Sequence, residues 1–351
     1  MRLPHASRPA ASRAAALLLT LACSGAPDRA APAPAEPTPA PAHAALPGAL
    51  WVLTGQQLSR LDHAGASAVA DGVSAVSLTP GGDAWWASGS KLTHQLETGL
   101  TETHALPDSP TSDQVLALHA PSDRELWVAT GSRLLYLRES RVQDERTVSL
   151  PEPLGPVEQI TVSREGTVYL RSAEVVAKLT PAGLVLHPLV ETAPRLIAST
   201  GLALASDDSA WLSYMSELGP GLLVEQAGVW YDTGHAASAR RGATTLTVHP
   251  SGSPAAIDRS QTGFFRLLGG EVHQTPVLGP RTVSQELTAI SFDAHRRAWL
   301  AGDAGLLVVD EREQVLEWSW QALGLPAGPV RGLWVTASGP ALPPAQPATN
   351  R

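Results

Sequence analysis

One short phrase recurs along this chain at a near-constant interval. Ala-Trp-Trp-Ala-Ser-Gly at 84–89, Leu-Trp-Val-Ala-Thr-Gly at 126–131, Val-Tyr-Leu-Arg-Ser at 168–172, Ala-Trp-Leu-Ser at 210–213 and Ala-Trp-Leu-Ala-Gly at 298–302 are copies of it. Trp85, Trp127, Tyr169 and Trp211 stand 42 residues apart, and Trp299 follows after two slightly longer steps. A period in this range marks an array of supersecondary units, none of which can bury its own apolar face alone. Strand-rich units of this length point to the blades of a β-propeller.

Aligning the copies on the aromatic brings the preceding strand into register. Val76, Leu116, Ile160, Leu202, Leu246, Ile290 and Leu333 form one column, with Leu78, Leu118, Val162, Leu204, Val248, Phe292 and Val335 two residues on. Small residues stand between them in nearly every copy, and this period-two pattern predicts an inner β-strand. A tight turn, the aromatic strand, a Gly/Ser loop and a third strand follow. The sixth unit carries Ala255-Ala256 in place of the aromatic, and the fifth has an insertion over 215–221 in its second loop. At the ends, 51–62 lacks an inner strand and 330–336 lacks everything after one. Joining them makes a blade of mixed parentage that closes the ring and removes two exposed sheet edges. The expectation is an all-β, seven-bladed β-propeller over 47–341, closed by a blade shared between N- and C-terminal strands.

The N-terminus reads as an export signal. Arg2, Arg8 and Arg13 precede a short apolar run at 14–21, and Ala22-Cys23 is a plausible cleavage site. Cys23 is the only cysteine. Its place after the apolar run resembles the lipobox of bacterial lipoproteins, although Thr20-Leu21-Ala22 departs from the usual residues. The resemblance implies lipidation at Cys23, a signal peptide over 1–22, and a membrane-tethered head on the outer-membrane or periplasmic face. A soluble periplasmic or secreted protein is the alternative. The segment 23–46, rich in Ala and Pro, suits an extended tether, and 342–351 is expected to be a disordered tail. Removing 1–22 takes away three arginines and no acid, so the formal net charge of −8 becomes more negative still. With 33 acidic residues against 25 basic ones and no basic run beyond the N-terminus, nucleic acid is not the expected partner.

The phrases Leu-Trp-Val-Ala-Thr-Gly…Leu-Leu-Tyr-Leu and Ala-Trp-Leu-Ala-Gly-Asp-Ala-Gly-Leu-Leu-Val-Val-Asp resemble the two-component-regulator propeller repeat. That resemblance implies a propeller that senses or binds beside transmembrane and kinase segments, so that sensing here would need a partner protein. Trp-Asp is absent and Gly-His occurs once, at 234–235, so the recurring signatures of WD40 propellers are missing. Gluconolactonase-like propellers hold a divalent ion with Glu, Asp and Asn at the channel mouth, yet the only asparagine is Asn350. Virginiamycin B lyase works through His and Glu with Mg²⁺. Glu158 is present here, with no convincing histidine beside it.

The aromatic column reads as packing between blades rather than as a ligand platform. The candidate binding surface is instead the polar column that opens the inner strands: Ser74, Gln114, Glu158, Thr200, Thr244, Thr288 and Arg331. At the mouth of the central channel, Glu158 and Arg331 would lie on different sides of the ring and bracket a polar ligand, with Gln114 a further candidate in the same column. The loop with Asp232, His235, Arg240 and Arg241 shares that face and suits anionic or sugar ligands. Its plainer reading is a solvated loop. His119, His249 and Asp293 share a column at the other strand end, where a polar turn-entry position is a simpler account than a metal site. No nucleophile, phosphate-cradling or zinc-protease motif is present. The sequence points to a monomeric binding, scaffold or sensing module for an envelope or extracellular protein, or for a small polar or carbohydrate ligand. No cofactor, metal or catalytic residue is assigned. The alternative is a metal-assisted lyase or hydrolase of the virginiamycin B lyase type.

Overall fold

A computed structural model describes residues 48–106, 113–139, 141–143, 146–193, 195–233, 243–258, 263–268, 271–277 and 286–342. The side chains of Val142, Ala243, Thr244 and Glu271 also lie outside the description. Seven antiparallel sheets make up the propeller. In blade one the inner strand is Val330–Val335, followed outward by Leu50–Thr54, Gln57–Asp62 and Gly65–Ala70. Blades two to seven begin with inner strands Ala75–Leu78, Val115–Ser122, Gln159–Val162, Leu196–Leu204, Ala243–Val248 and Leu287–Phe292. Each continues outward through three further strands. In blade three the outermost position is shared by two short strands, Arg141–Val142 and Val148–Ser149.

Ring closure reproduces an ordinary blade turn across the two chain ends. Within blades two and four, Thr79 and Ser163 accept through their hydroxyls from the amides of Asp83 and Thr167, four residues on. In blade seven, the Asp293 carboxylate accepts from the amide of Arg297, also four residues on. In blade one, Thr336 Oγ1 accepts from Ala49 N at 2.7 Å, and Thr336 N donates to Ala49 O at 3.0 Å. Gly48 lies against the backbone of Gly339, with no room for a Cβ. The two termini thus meet as if one turn joined them, and the sheet edges they would expose are paired.

The aromatic column is scaffold. Trp51, Trp85, Trp127, Tyr169 and Trp299 are buried, each packed into the core shared with the next blade. Trp230, Trp318 and Trp320, outside the column, are buried as well. Trp320 opens a short helix, Trp320–Leu323, capped by Ser319 Oγ, and its indole nitrogen donates to the Gly302 carbonyl at 2.9 Å. Hydrogen bonds also stitch neighbouring inner strands. Ala120 N donates to Ser77 Oγ, and the Gln159 amide both donates to and accepts from the backbone of Leu202. Thr245 and Thr288 donate to the carbonyls of Thr288 and Val330.

Two sequence assignments need correction. In blade three the inner strand is shifted by two residues: Leu118 lies opposite Val128 and His119 opposite Trp127, as Val76 lies opposite Trp86 and Ser77 opposite Trp85. The column therefore reads Val76, Leu118, Ile160 and onward. Leu116 takes the strand-opening position, Gln114 falls outside that column, and His119 leaves the turn-entry column. A period-two pattern looks the same after a shift of two, and Val115, Leu116, Ala117 and Leu118 fit either phase. In blade five, 215–221 is not a loop insertion. The second and third strands, Ala210–Ser216 and Gly219–Gln226, extend through it as a longer hairpin.

Candidate functional site

The polar column opening the inner strands is largely occupied by structural bonds. Ser74 donates to the Ala87 carbonyl, Thr200 to Ser213 Oγ at 2.8 Å, and Thr288 to the Val330 carbonyl at 2.9 Å. Glu158 accepts from Arg171 Nη1 at 2.6 Å. That guanidinium is buried and also meets Ser199 O, Ser199 Oγ and Gln159 Oε1. Burial pulls the Arg171 pKa down, and Glu158 offsets this. Arg331 is exposed and donates to the Gly55 carbonyl at 3.3 Å. Glu158 and Arg331 are thus each engaged within their own blade. Gln114 is exposed. Its neighbour Asp113 is buried, accepting from Thr130 Oγ1, Gly131 N and Ser132 Oγ. Asp232 accepts from Tyr214, whose pKa rises to about 12 through burial first and then Asp232. Cys23, His235, Arg240 and Arg241 lie outside the described residues, as does the side chain of Thr244.

A hollow lies at the opposite end of the inner strands, where they enter their turns. It encloses about 730 Å³. One wall is the end of the inner strands, Leu78, Ala120, Val162 and Val335. The equivalent residues in the other blades are Leu204, Val248 and Phe292, so Ala120 is the smallest member of an otherwise bulky ring and leaves a notch over blade three. Through that notch the hollow reaches His119, Glu125, Trp127, Tyr136 and Arg146, and on to Ser163 and Arg164 of blade four.

These side chains are arranged by the sheet. His119, Trp127 and Tyr136 lie side by side across three adjacent strands. The Trp127 and Tyr136 rings meet at 4.8 Å between centroids. Tyr136 donates its hydroxyl to Glu125, which also accepts from Ser122. Burial, and then Glu125, raise the Tyr136 pKa. Arg146 places its guanidinium 4.6 Å from the Tyr136 ring centre. Burial pulls the His119 pKa down to about 4, so the imidazole is neutral at pH 7. The site thus joins an apolar rim to a neutral imidazole, one hydrogen-bonded carboxylate and two exposed guanidinium groups, those of Arg146 and Arg164.

His249 and Asp293, at turn entries of blades six and seven, hold their turns. His249 Nδ1 accepts from Ser251 N, and Asp293 is bound by Arg297 and by the Trp299 indole. Among the described residues, no group of three His, Cys, Asp or Glu is placed to hold a metal ion. Sequence reasoning missed Arg171, Glu125, Arg146 and Arg164. Arg171 carried a signal, because its column otherwise reads Leu53, Ala87, Ala129, Ser213, Ile257 and Ala301. A lone charge in such a column must be buried with partners. Arg146 and Arg164 sit outside the strands, and Glu125 opens the second strand of blade three, at a position whose residue type varies from blade to blade.

No protein-family model matches the chain, and no curated protein matches it. Solved structures do share its fold. Virginiamycin B lyase from Staphylococcus aureus superposes with a TM-score of 0.54 at 15% identity, over 76% of this chain and 92% of that one. The extracellular domain of the BT4673 two-component system from B. thetaiotaomicron gives 0.54 at 12% identity, over 76% of this chain and 37% of that one. YCF48 bound to D1 peptide gives 0.53 at 12% identity, over 77% and 84%. At these identities the likeness is one of fold, and the fold hosts a lyase, the extracellular domain of a two-component system and a protein bound to a peptide.

Proposed function

We propose that this chain is an exported, lipid-anchored propeller that acts as a binding or sensing module, taking a small anionic polar ligand such as a sugar acid in the turn-end hollow. The observation that carries the reading is the hollow itself. About 730 Å³ falls within the roughly 300–1,000 Å³ of small-molecule sites. Its two exposed guanidinium groups, in no ion pair among the described residues, suit a carboxylate, and the neutral imidazole and Glu125 offer acceptors for hydroxyl groups. The opposite rim, with Glu158 held by Arg171, offers fewer unengaged groups. Export is supported by the signal-like N-terminus and by the extracellular domain among the similar folds. Among the described residues, no helix is long and apolar enough to cross a membrane. The anchor is read from the lipobox-like residues around Cys23. Sensing output would pass to an envelope partner, as the peptide-bound state of YCF48 illustrates for this fold. The metal-assisted lyase reading has no such observation behind it.

Calorimetric titration with galacturonate tests the ligand class, with galactose as the uncharged control. Saturable binding of the acid, at least tenfold tighter than the neutral sugar, is the expected result. Absence of binding by either would overturn it. Labelled palmitate should enter the wild-type protein in a bacterial host and not the Cys23→Ser variant; an unlabelled wild type would refute the anchor.

A further inference from the structure

The second and third strands of these blades carry a repeated pair in which an aromatic faces a partner directly across the ladder. Trp51 faces Arg60, whose guanidinium lies 5.4 Å from the ring centre. Trp85 faces His94, stacked at 4.0 Å, and Tyr169 faces Lys178, its ammonium 5.1 Å away. Blade six keeps the cation and lacks the ring: Ala255 faces Arg266. At the same interface, between blades six and seven, lies a second hollow of about 400 Å³.

Its walls are those of an aromatic slot. Phe264, Leu268 and Phe292 supply apolar surface, and Phe292 meets Phe264 and His249 edge-on at 5.9 and 4.9 Å. Arg266 Nη1 reaches His249 Nε2 at 3.4 Å. Arg266 Nε is buried with no hydrogen-bond partner, and no carboxylate pairs with Arg266, among the described residues. Arg296 stands at the rim, paired with Glu311 at 3.4 Å. Asp310, which caps its own turn, and Glu313 also line the hollow, and the positive charge acts locally, at His249. His249 is held down at about 4 by burial first and then by Arg266 and Arg296, with Glu311 opposing weakly.

We propose that this slot binds a planar aromatic carboxylate, its ring taking the place of the missing side chain against Arg266 and its acid lying in the field of Arg266 and Arg296. A guanidinium with a buried, unpartnered Nε and no carboxylate among the described residues gains both a cation–π face and an anionic partner from such a ligand. The slot is separate from the turn-end hollow over blade three, so the two readings stand or fall independently.

The experiment titrates the full-length protein with indole-3-carboxylate, alongside indole (ring without acid) and hexanoate (acid without ring). One-to-one saturable binding of the aromatic acid, at least tenfold tighter than either control, is expected. Arg266→Gln should weaken it at least tenfold. Ala255→Trp, which restores the pattern of the other blades, should abolish binding without lowering Tm. If that variant does not fold, Arg266→Gln decides the matter. No saturable binding to the wild type would overturn the proposal. Binding undiminished by Arg266→Gln, binding retained by a folded Ala255→Trp, or binding lost in an Arg146→Ala control at the other hollow would do the same.

Discussion

His119 and His249 make the folded state sensitive to mild acid. Both titrate near 4 in the native protein, against about 6.5 in an unfolded chain. Between those values the unfolded chain binds more protons. Stability therefore rises with pH through this window and is lost as pH falls from about 6.5 toward 4. The loss is on the order of 2–3 kcal/mol per histidine by the bottom of the window. Urea midpoints at pH 7, 5.5 and 4.5 should fall steeply in the wild type and less so in His119→Gln. An equal slope in the two would contradict the assignment. Arg171→Met should cost about 1–3 kcal/mol by denaturant unfolding, because it leaves the Ser199 carbonyl and the Gln159 oxygen short of a buried donor. Roles at this scale were the least legible in the sequence. Glu158 stood out as a charge at a strand end, but its engagement by Arg171 depends on a fold-back across the blade that no local pattern records.

At the scale of the blade, the repeat made most strands readable, since alternation, turn residues and the aromatic phrase agree in nearly every copy. It failed in blade three for a definite reason. Hydrophobic alternation has period two, so it cannot separate registers that differ by two residues. The constant nine-residue step from Leu118 to Trp127, matching Val76 to Trp85 and Ile160 to Tyr169, carried the information. The two registers differ in what they predict. Leu118 is buried and Leu116 only half-buried. Leu118→Ala should then cost about 2–3 kcal/mol and Leu116→Ala less than about 1. Equal losses in chemical denaturation would favour the shifted alignment. The hollow over blade three depends on the same correction, because the observed register puts Ala120 in the bulky ring and His119 beside Trp127.

For the molecule as a whole, the closing blade was the most legible feature, because two incomplete blade fragments at opposite ends complement one another. The means of closure were not legible. Thr336 acts on Ala49 as Thr79 acts on Asp83, and Gly48 packs on Gly339 where no side chain fits. Gly48→Val should cost about 1–3 kcal/mol through overpacking. It should also raise amide exchange in Leu50–Thr54 and Val330–Val335 ahead of the other blades. Uniform exchange across all blades would show that closure contributes nothing special. The candidate hollow escaped the sequence because polar residues stand at both ends of most inner strands. Only the structure shows that one end has engaged most of them while the other encloses a hollow.

The central claim is that the turn end of the ring is its binding face. Galacturonate affinity, measured side by side in a turn-end double variant, Arg146→Ala with Arg164→Ala, and an opposite-end double variant, Glu158→Gln with Arg331→Ala, tests it most directly. The account predicts at least a tenfold loss in the first and wild-type affinity in the second. Loss confined to the second pair would contradict it.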